Sequence, residues 1–381
     1  MDFLPKAKNT HSPTTDQQKR MRKLCRKLMD YPVFQFRKNA KYKVAEIMLM
    51  AIDAAMENQS LEAVSSIRGG MSADDALLHL KDKLGIEKIE QMLFELLDQR
   101  FLKILRRKFP CFRKWIAIDF TPEMFYGDKN CEYVTGYEPK DGTYYCFKFM
   151  TVSLLLPEGK YLLFAYPCYC DTDKIWLLNR AYEFLAGVGI TAELCLMDRE
   201  FYTVDVLALC REQKMHYIIP AKHDSKFERY VKQMEKLPGL VRGYEIMNEH
   251  GESEWTNLVV MESEWKEKKE IFGFITNLPE NWYRDDTYAI AEIYRKRWRL
   301  ETAHRVHDCF RIRTCCKEGS VRYFFFVIAV LLYNLWVWIN LMLTDCHFGE
   351  YKVKMTVFGM KKMVVEPFLE NRRRVPTRIA I

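Results

Sequence analysis

Apolar positions recur at helical spacing through the first third of the chain and then change period. In KRMRKLCRKLMD (19–30), Met21, Leu24, Cys25 and Leu28 share one face, with lysines and arginines on the other. KYKVAEIMLMAIDAAM (41–56) predicts a second helix. LEAVSSIR, capped by Ser60 and ended by Gly69–Gly70, predicts a third. ALLHLKDKL, opened by Ser72 with Asp75 three residues on, predicts a fourth, and Ile86 to Arg107 a fifth. Residues 1–18, polar and carrying Pro5 and Pro13, read as a loose tail. Short helices joined by tight glycine turns fit a helix-turn-helix-like DNA-binding unit. A basic bundle that binds protein fits the same pattern.

From residue 114 the period shortens. KWIAIDF (114–120), YYCFKFMTVSLLL (144–156) and YLLFAYPC (161–168) read as strands, the last two joined by a turn at 157–160. A helix over 174–189, capped by Asp171 or Thr172, leads to the strand AELCLMD (192–198). A short helix (203–213) and the strand HYIIPAK (216–222) follow. The order is three antiparallel strands and then strands reached through helical crossovers, an α/β class with a mixed sheet. Residues 223–283 break this pattern. They read as a β-rich insertion with strands at 255–262 and 270–278. Asp285 or Asp286 then caps a helix over 287–308.

Phe324 to Leu343 is a run of twenty residues without a formal charge, long enough to span a bilayer. Asn334 and Asn340 inside it, and the lack of a second such run, favour a buried core helix. The expectation is therefore no membrane.

Composition narrows the class. With 49% hydrophobic and 29% charged residues the chain reads as globular. Twelve cysteines in 381 residues are too sparse for a disulfide scaffold. The N-terminus does not read as a signal peptide, so a reduced, cytoplasmic protein is expected. No Walker loop or dinucleotide-binding glycine motif is present, which argues against a nucleoside triphosphate-driven reaction. The net charge of +8 is unevenly spread. Residues 1–114 hold 23 basic and 14 acidic side chains, residues 115–289 hold 19 and 29, and residues 290–381 hold 17 and 8. Basic ends around an acidic centre suggest a polyanion gripped by the flanks, with carboxylates between.

Three acids stand at structurally telling places. Asp119 ends the first strand, Asp198 ends the fourth, and Glu301 lies on the later helix. If those strands are neighbours, the two aspartates meet at one edge of the sheet. Tyr294, Arg297 and Glu301, spaced i, i+3, i+7, share one helix face. Converging carboxylates supply the hard oxygen ligands that two Mg²⁺ ions need for phosphodiester chemistry, with Mn²⁺ able to substitute.

These residues carry a resemblance. IAIDFT around Asp119, LCLMDREFY around Asp198 and YRKRWRLETAHR around Glu301 resemble the DDE transposases of insertion sequences. More narrowly, they resemble the group whose third acid lies in a Tyr-x2-Arg-x3-Glu-x6-Lys helix. The likeness covers roughly residues 112–345. It implies a ribonuclease H-like mixed sheet with a β-rich insertion before the glutamate helix, preceded by an all-α domain. The expected division is 1–112 basic helical DNA-binding domain, 113–222 first part of the catalytic domain, 223–283 insertion, 284–345 its C-terminal helices, and 346–381 basic tail. The resemblance also implies metal-dependent cleavage and strand transfer at the ends of an insertion sequence, on DNA bearing terminal inverted repeats and on target DNA. It implies a homodimer on DNA, in a prokaryotic cytoplasm at the nucleoid. Tyr294, Arg297, Trp298 and Arg305 would contact DNA.

The chain departs from the group at two points. Asp308 stands where the group's lysine would fall, so Arg305 or Arg311 is the candidate substitute. Glu200 stands two residues after Asp198 and is a rival ligand, with Asp198 preferred because it closes the strand. His304 and His307 read as polar helix residues, and Cys168–Cys170 and Cys315–Cys316 as thiols, since no zinc-ligand spacing completes either set. The alternative functions are a transposase-derived DNA-binding protein and a ribonuclease H-like nuclease without strand transfer.

Overall fold

Four helices open the computed structural model: α1 (Val44–Glu57), α2 (Leu61–Arg68), α3 (Ala73–Lys83) and α4 (Ile86–Leu96). It describes residues 23, 26–28, 30–36, 41–68, 70–97, 103, 113–156, 159–169, 172–265, 268–343, 347–348, 351–352 and 354–362. Within these, the side chains of 68, 263–265, 268–269, 298–305, 347–348 and 351–352 lie outside the description. Much of the predicted helix 19–30, residues 104–112 and the basic tail beyond 362 also lie outside it. The chain forms two units, residues 103–303 and a second made from both chain ends, 1–102 with 304–381.

The unit 103–303 is built on one sheet. Its strands are β1 (Trp115–Met124), β2 (Val134–Lys140), β3 (Thr143–Leu156), β4 (Gly159–Cys168), β5 (Leu194–Met197), β6 (His216–Pro220), β7 (Gly239–Met247), β8 (Ser253–Trp265) and β9 (Lys268–Thr276). The order is β2-β3-β1-β5-β6-β9-β8-β7, with β4 also pairing β3. β1 runs antiparallel to β3 and parallel to β5, and β5 runs parallel to β6. Strand β3 is long enough to pair β2 through Thr143–Phe147 and β4 through Lys148–Leu156. With β1 on one edge of β3, β2 and β4 follow each other along the other. The path β4-β3-β1-β5-β6 is the ribonuclease H-like order, as expected from the chain.

Helical crossovers explain the parallel pairs. The helix α5 (Lys174–Gly187) joins β4 to β5, and α6 (Val204–Glu212) joins β5 to β6. Asp173 rather than Asp171 or Thr172 caps α5, its Oδ1 accepting from the Ile175 amide at 2.8 Å. Strand alternation then sorts the two faces. On one face Phe164 of β4 packs Phe184 of α5, ring centroids 5.0 Å apart. On the other, Ala117, Leu194 and Leu196 pack with Ile290, Ala291 and Tyr294 of α8 (Tyr288–Asp308). The Asp286 carboxylate accepts from the Tyr288 amide at 2.9 Å and so starts that helix.

The segment 223–283 departs from the expected insertion in its connections. Its strands β7, β8 and β9 continue the central sheet, since β9 pairs antiparallel with β6. Its extra helix α7 (Ser225–Gln233) is capped by Asp224.

The second unit is helical. The apolar helix α9 (Gly319–Leu343) is the one described helix long and apolar enough to cross a membrane, and 89% of its most apolar window is buried inside the protein. It packs against α1, α3 and α4. The structure thus places it with the N-terminal helices. Residues 313 and 58–59 fasten the two chain ends of this unit: the Arg313 amide donates to the Gln59 carbonyl at 3.1 Å, and its Nε to Asn58 Oδ1 at 3.2 Å. Helix α4 ends at Leu96, where the buried Leu97 turns to extended backbone; of the expected continuation to Arg107 only Lys103, which is helical, lies within the described residues beyond Leu97.

Candidate active site

Register brings the first two acids together. The parallel ladder of β1 and β5 ends at Ile118 opposite Met197, and the next residue on each strand is an aspartate, Asp119 and Asp198. Asp119 does not end β1, as the sequence suggested. The strand continues to Met124 because its other edge stays paired with β3, with Asp119 opposite Thr151. It marks the end of the parallel ladder instead. By alternation both aspartates share the α8 face with Ala117 and Leu196.

A single cation joins them. Arg297 Nη2 lies 2.8 Å from Asp119 Oδ1 and 3.5 Å from Asp198 Oδ2, and all three side chains are largely buried. Asp198 Oδ1 also accepts from the Glu200 amide at 2.8 Å. Burial, followed by the charge of Asp119, raises the Asp198 pKa to about 6, while Arg297 acts in the opposite direction. Arg297 itself is raised, with Asp119 and Asp198 outweighing its burial.

Two further contacts tie α8 to the sheet. Tyr294 is buried, and its hydroxyl donates to the Met197 carbonyl at 3.1 Å, one residue before Asp198. This corrects the expectation of a DNA-facing tyrosine, because its polar end is spent on backbone. Lys160 Nζ donates to the Arg297 carbonyl at 2.6 Å.

Glu301 lies on α8, four residues beyond Arg297. The side chains of Glu301, Trp298 and Arg305 lie outside the described ones, so the structure speaks only to their place on the helix. No group of three metal-ligating side chains occurs among the described residues.

Glu200 is bonded to Asp198 through its amide, but its carboxylate has a different partner, Lys148 Nζ at 2.6 Å. Lys148 in turn sits 4.2 Å from the centre of the Phe120 ring, on the face opposite Asp119. His307 is not the polar helix residue expected. It is buried, 4.7 Å from the Phe326 ring. At the position of the missing lysine, the Asp308 carbonyl accepts from Asn58 Nδ2 at 2.6 Å. Cys168 and Cys316 are buried free thiols and Cys315 is exposed.

The described N-terminal helices are not basic. Residues 44–96 hold ten acidic side chains and four basic ones (Arg68, Lys81, Lys83, Lys88). The excess of lysine and arginine falls outside them, in 1–43 and 97–114.

Residues 171–335 match the transposase DDE domain family. Over that stretch the chain is similar to a DDE transposase domain. That match includes Asp198 and Glu301, and Asp119 precedes it. Domains of this family use divalent metal ions. Among solved structures, the fold is similar to one described as a cryo-EM structure of a piggyBac transposase synaptic complex with hairpin DNA. The TM-score is 0.54 and the identity 12%, covering 96% of this chain and 80% of that one. A search of curated proteins finds no match.

Proposed function

We propose that the protein binds the ends of an insertion sequence and catalyses metal-dependent DNA strand cleavage and strand transfer. The observation that carries this reading is the Asp119–Asp198 pair at the end of the parallel ladder, beneath the helix that holds Arg297 and Glu301. The match of residues 171–335 to the DDE family supports it.

The donor set fits a hard divalent cation. Two carboxylates share one guanidinium, and the charge of Asp119 adds to burial in raising the Asp198 pKa. Asp119, Asp198 and Glu301 are the proposed ligands of two Mg²⁺ ions, with Mn²⁺ as a substitute. Bound there, the metals supply charge stabilisation for the nucleophile and for the leaving oxygen. Arg297 balances the two aspartates, and its planar fork suits a phosphate oxygen once a cation takes over that balance. In the first step a water oxygen bonds to phosphorus, and the 3′ oxygen leaves as a free hydroxyl. In the second, that hydroxyl bonds to a target phosphorus and the target's 3′ oxygen leaves.

DNA contacts are assigned to the basic segments 1–43 and 97–114 rather than to the acidic helices α1–α4. Trp298 and Arg305 remain candidate DNA contacts, and a homodimer holding two ends is the proposed assembly. The nucleoid of a prokaryotic cell is the proposed location. The test is incubation with Mg²⁺, DNA bearing the element's own ends, and a target plasmid. Nicked ends with free 3′-hydroxyls and joined products are expected. Nicking without joining would favour the nuclease, and binding without nicking the DNA-binding descendant.

A further inference from the structure

Lys160 is a costly residue for its position. It lies on β4 opposite Leu155, a member of the core beneath α8, and is fully buried. A buried amine without a partner is strongly unfavourable, and an aliphatic side chain would pack there at no such cost. Burial, and then the nearby charge of Arg297, pulls its pKa down to about 6, while Asp119 acts the other way.

Its contact is specific. Nζ donates to the Arg297 carbonyl at 2.6 Å. In an α-helix the carbonyl of residue 297 is also the acceptor for the amide of residue 301. A carbonyl oxygen has two lone pairs and serves both. Lys160 therefore grips the turn that begins at Arg297 and ends at Glu301. It acts beside the tethers of Tyr294 to Met197 of β5 and of Arg297 to Asp119 of β1, adding one from β4.

We propose that Lys160 is a positioning residue for strand cleavage, fixing the Arg297–Glu301 turn of α8 against the strands that carry Asp119 and Asp198. The inference rests on the reading of those acids as the metal site. Remote groups that set the geometry of a reacting centre govern rate more than binding.

The test uses the full chain with Lys160→Met, which removes the donor, and Lys160→Gln, which keeps an N–H donor without charge. Wild type and Asp198→Asn are the controls. Four quantities are measured: thermal midpoint, binding of end DNA, Mn²⁺ binding by calorimetry, and Mn²⁺-dependent nicking. Lys160→Met is expected to bind end DNA within about twofold of wild type. Its nicking is expected to fall by about tenfold or more, and its Mn²⁺ dissociation constant to rise severalfold. Lys160→Gln is expected to recover part of both. Nicking and Mn²⁺ binding by Lys160→Met within about twofold of wild type would overturn the proposal. Loss of the folded transition in both variants would also overturn it, by making the residue structural. Nicking that survives in Asp198→Asn would instead overturn the metal-site reading, whatever Lys160 does.

Discussion

At Asp198 the folded chain holds a proton more tightly than the unfolded chain does, because burial and Asp119 disfavour its charge. Between the ordinary value of 3.8 and about 6 the folded state binds more protons. Stability from this group is therefore present at low pH and lost as pH rises through about 6. Asp198→Asn should raise the metal-free thermal stability at pH 7.5 by on the order of 1–2 kcal/mol. The gap should close below about pH 4, where both forms are neutral. Melting curves at the two pH values check this. Asparagine also preserves the cap on the Glu200 amide. Glu200→Gln, by contrast, should leave nicking within about threefold of wild type, since its carboxylate is engaged with Lys148 on the other face. The preference for Asp198 over Glu200 is legible in the sequence as a strand ending. The sharing of Arg297 is not, because it joins residues 178 positions apart.

At the scale of elements, α8 is the piece that assembles the site. Tyr294→Phe removes one hydroxyl and leaves the Met197 carbonyl without that donor, at a cost of about 1 kcal/mol. Chemical denaturation should show that loss, and nicking should fall with it while DNA binding holds. The helix start is readable from Asp286, as is the i, i+3, i+7 spacing of Tyr294, Arg297 and Glu301. The role of Tyr294 is not, since spacing names a face and not what covers it. The continuation of β1 past Asp119 is hidden in TPEM, where a proline reads as a stop, yet Pro122 sits in register opposite Lys148. Strand β2 (VTGYEPK) escapes a sequence reading because most of it is exposed and carries no apolar alternation. Helix α7 carries a readable Asp224 cap, but its polar composition conceals it.

At the scale of the whole molecule, charge and hydropathy are legible as sums and less so as places. The N-terminal third is basic in total. The helix boundaries show that α1–α4 are nonetheless acidic and that the surplus lies in the flanking segments. The apolar run 324–343 is buried, as its composition suggests, but its partners are the N-terminal helices, a long-range pairing that no local pattern encodes. Neutralising Arg106, Arg107, Lys108 and Arg113 should weaken binding of end DNA and flatten its salt dependence. The log–log slope should fall by roughly 0.9 for each phosphate that no longer meets a cation. Neutralising Lys81, Lys83 and Lys88 should leave the slope unchanged, as filter-binding titrations over a range of salt would show.

The most direct measurement is Mg²⁺-dependent nicking of DNA bearing the element's ends by wild type, Asp119→Asn, Asp198→Asn and Glu301→Gln, alongside binding of the same DNA. The account predicts that all four proteins bind and only wild type cuts. Full cutting by any one of the three variants would contradict the assignment of that acid, and cutting by wild type in a metal chelator would contradict the metal site as a whole.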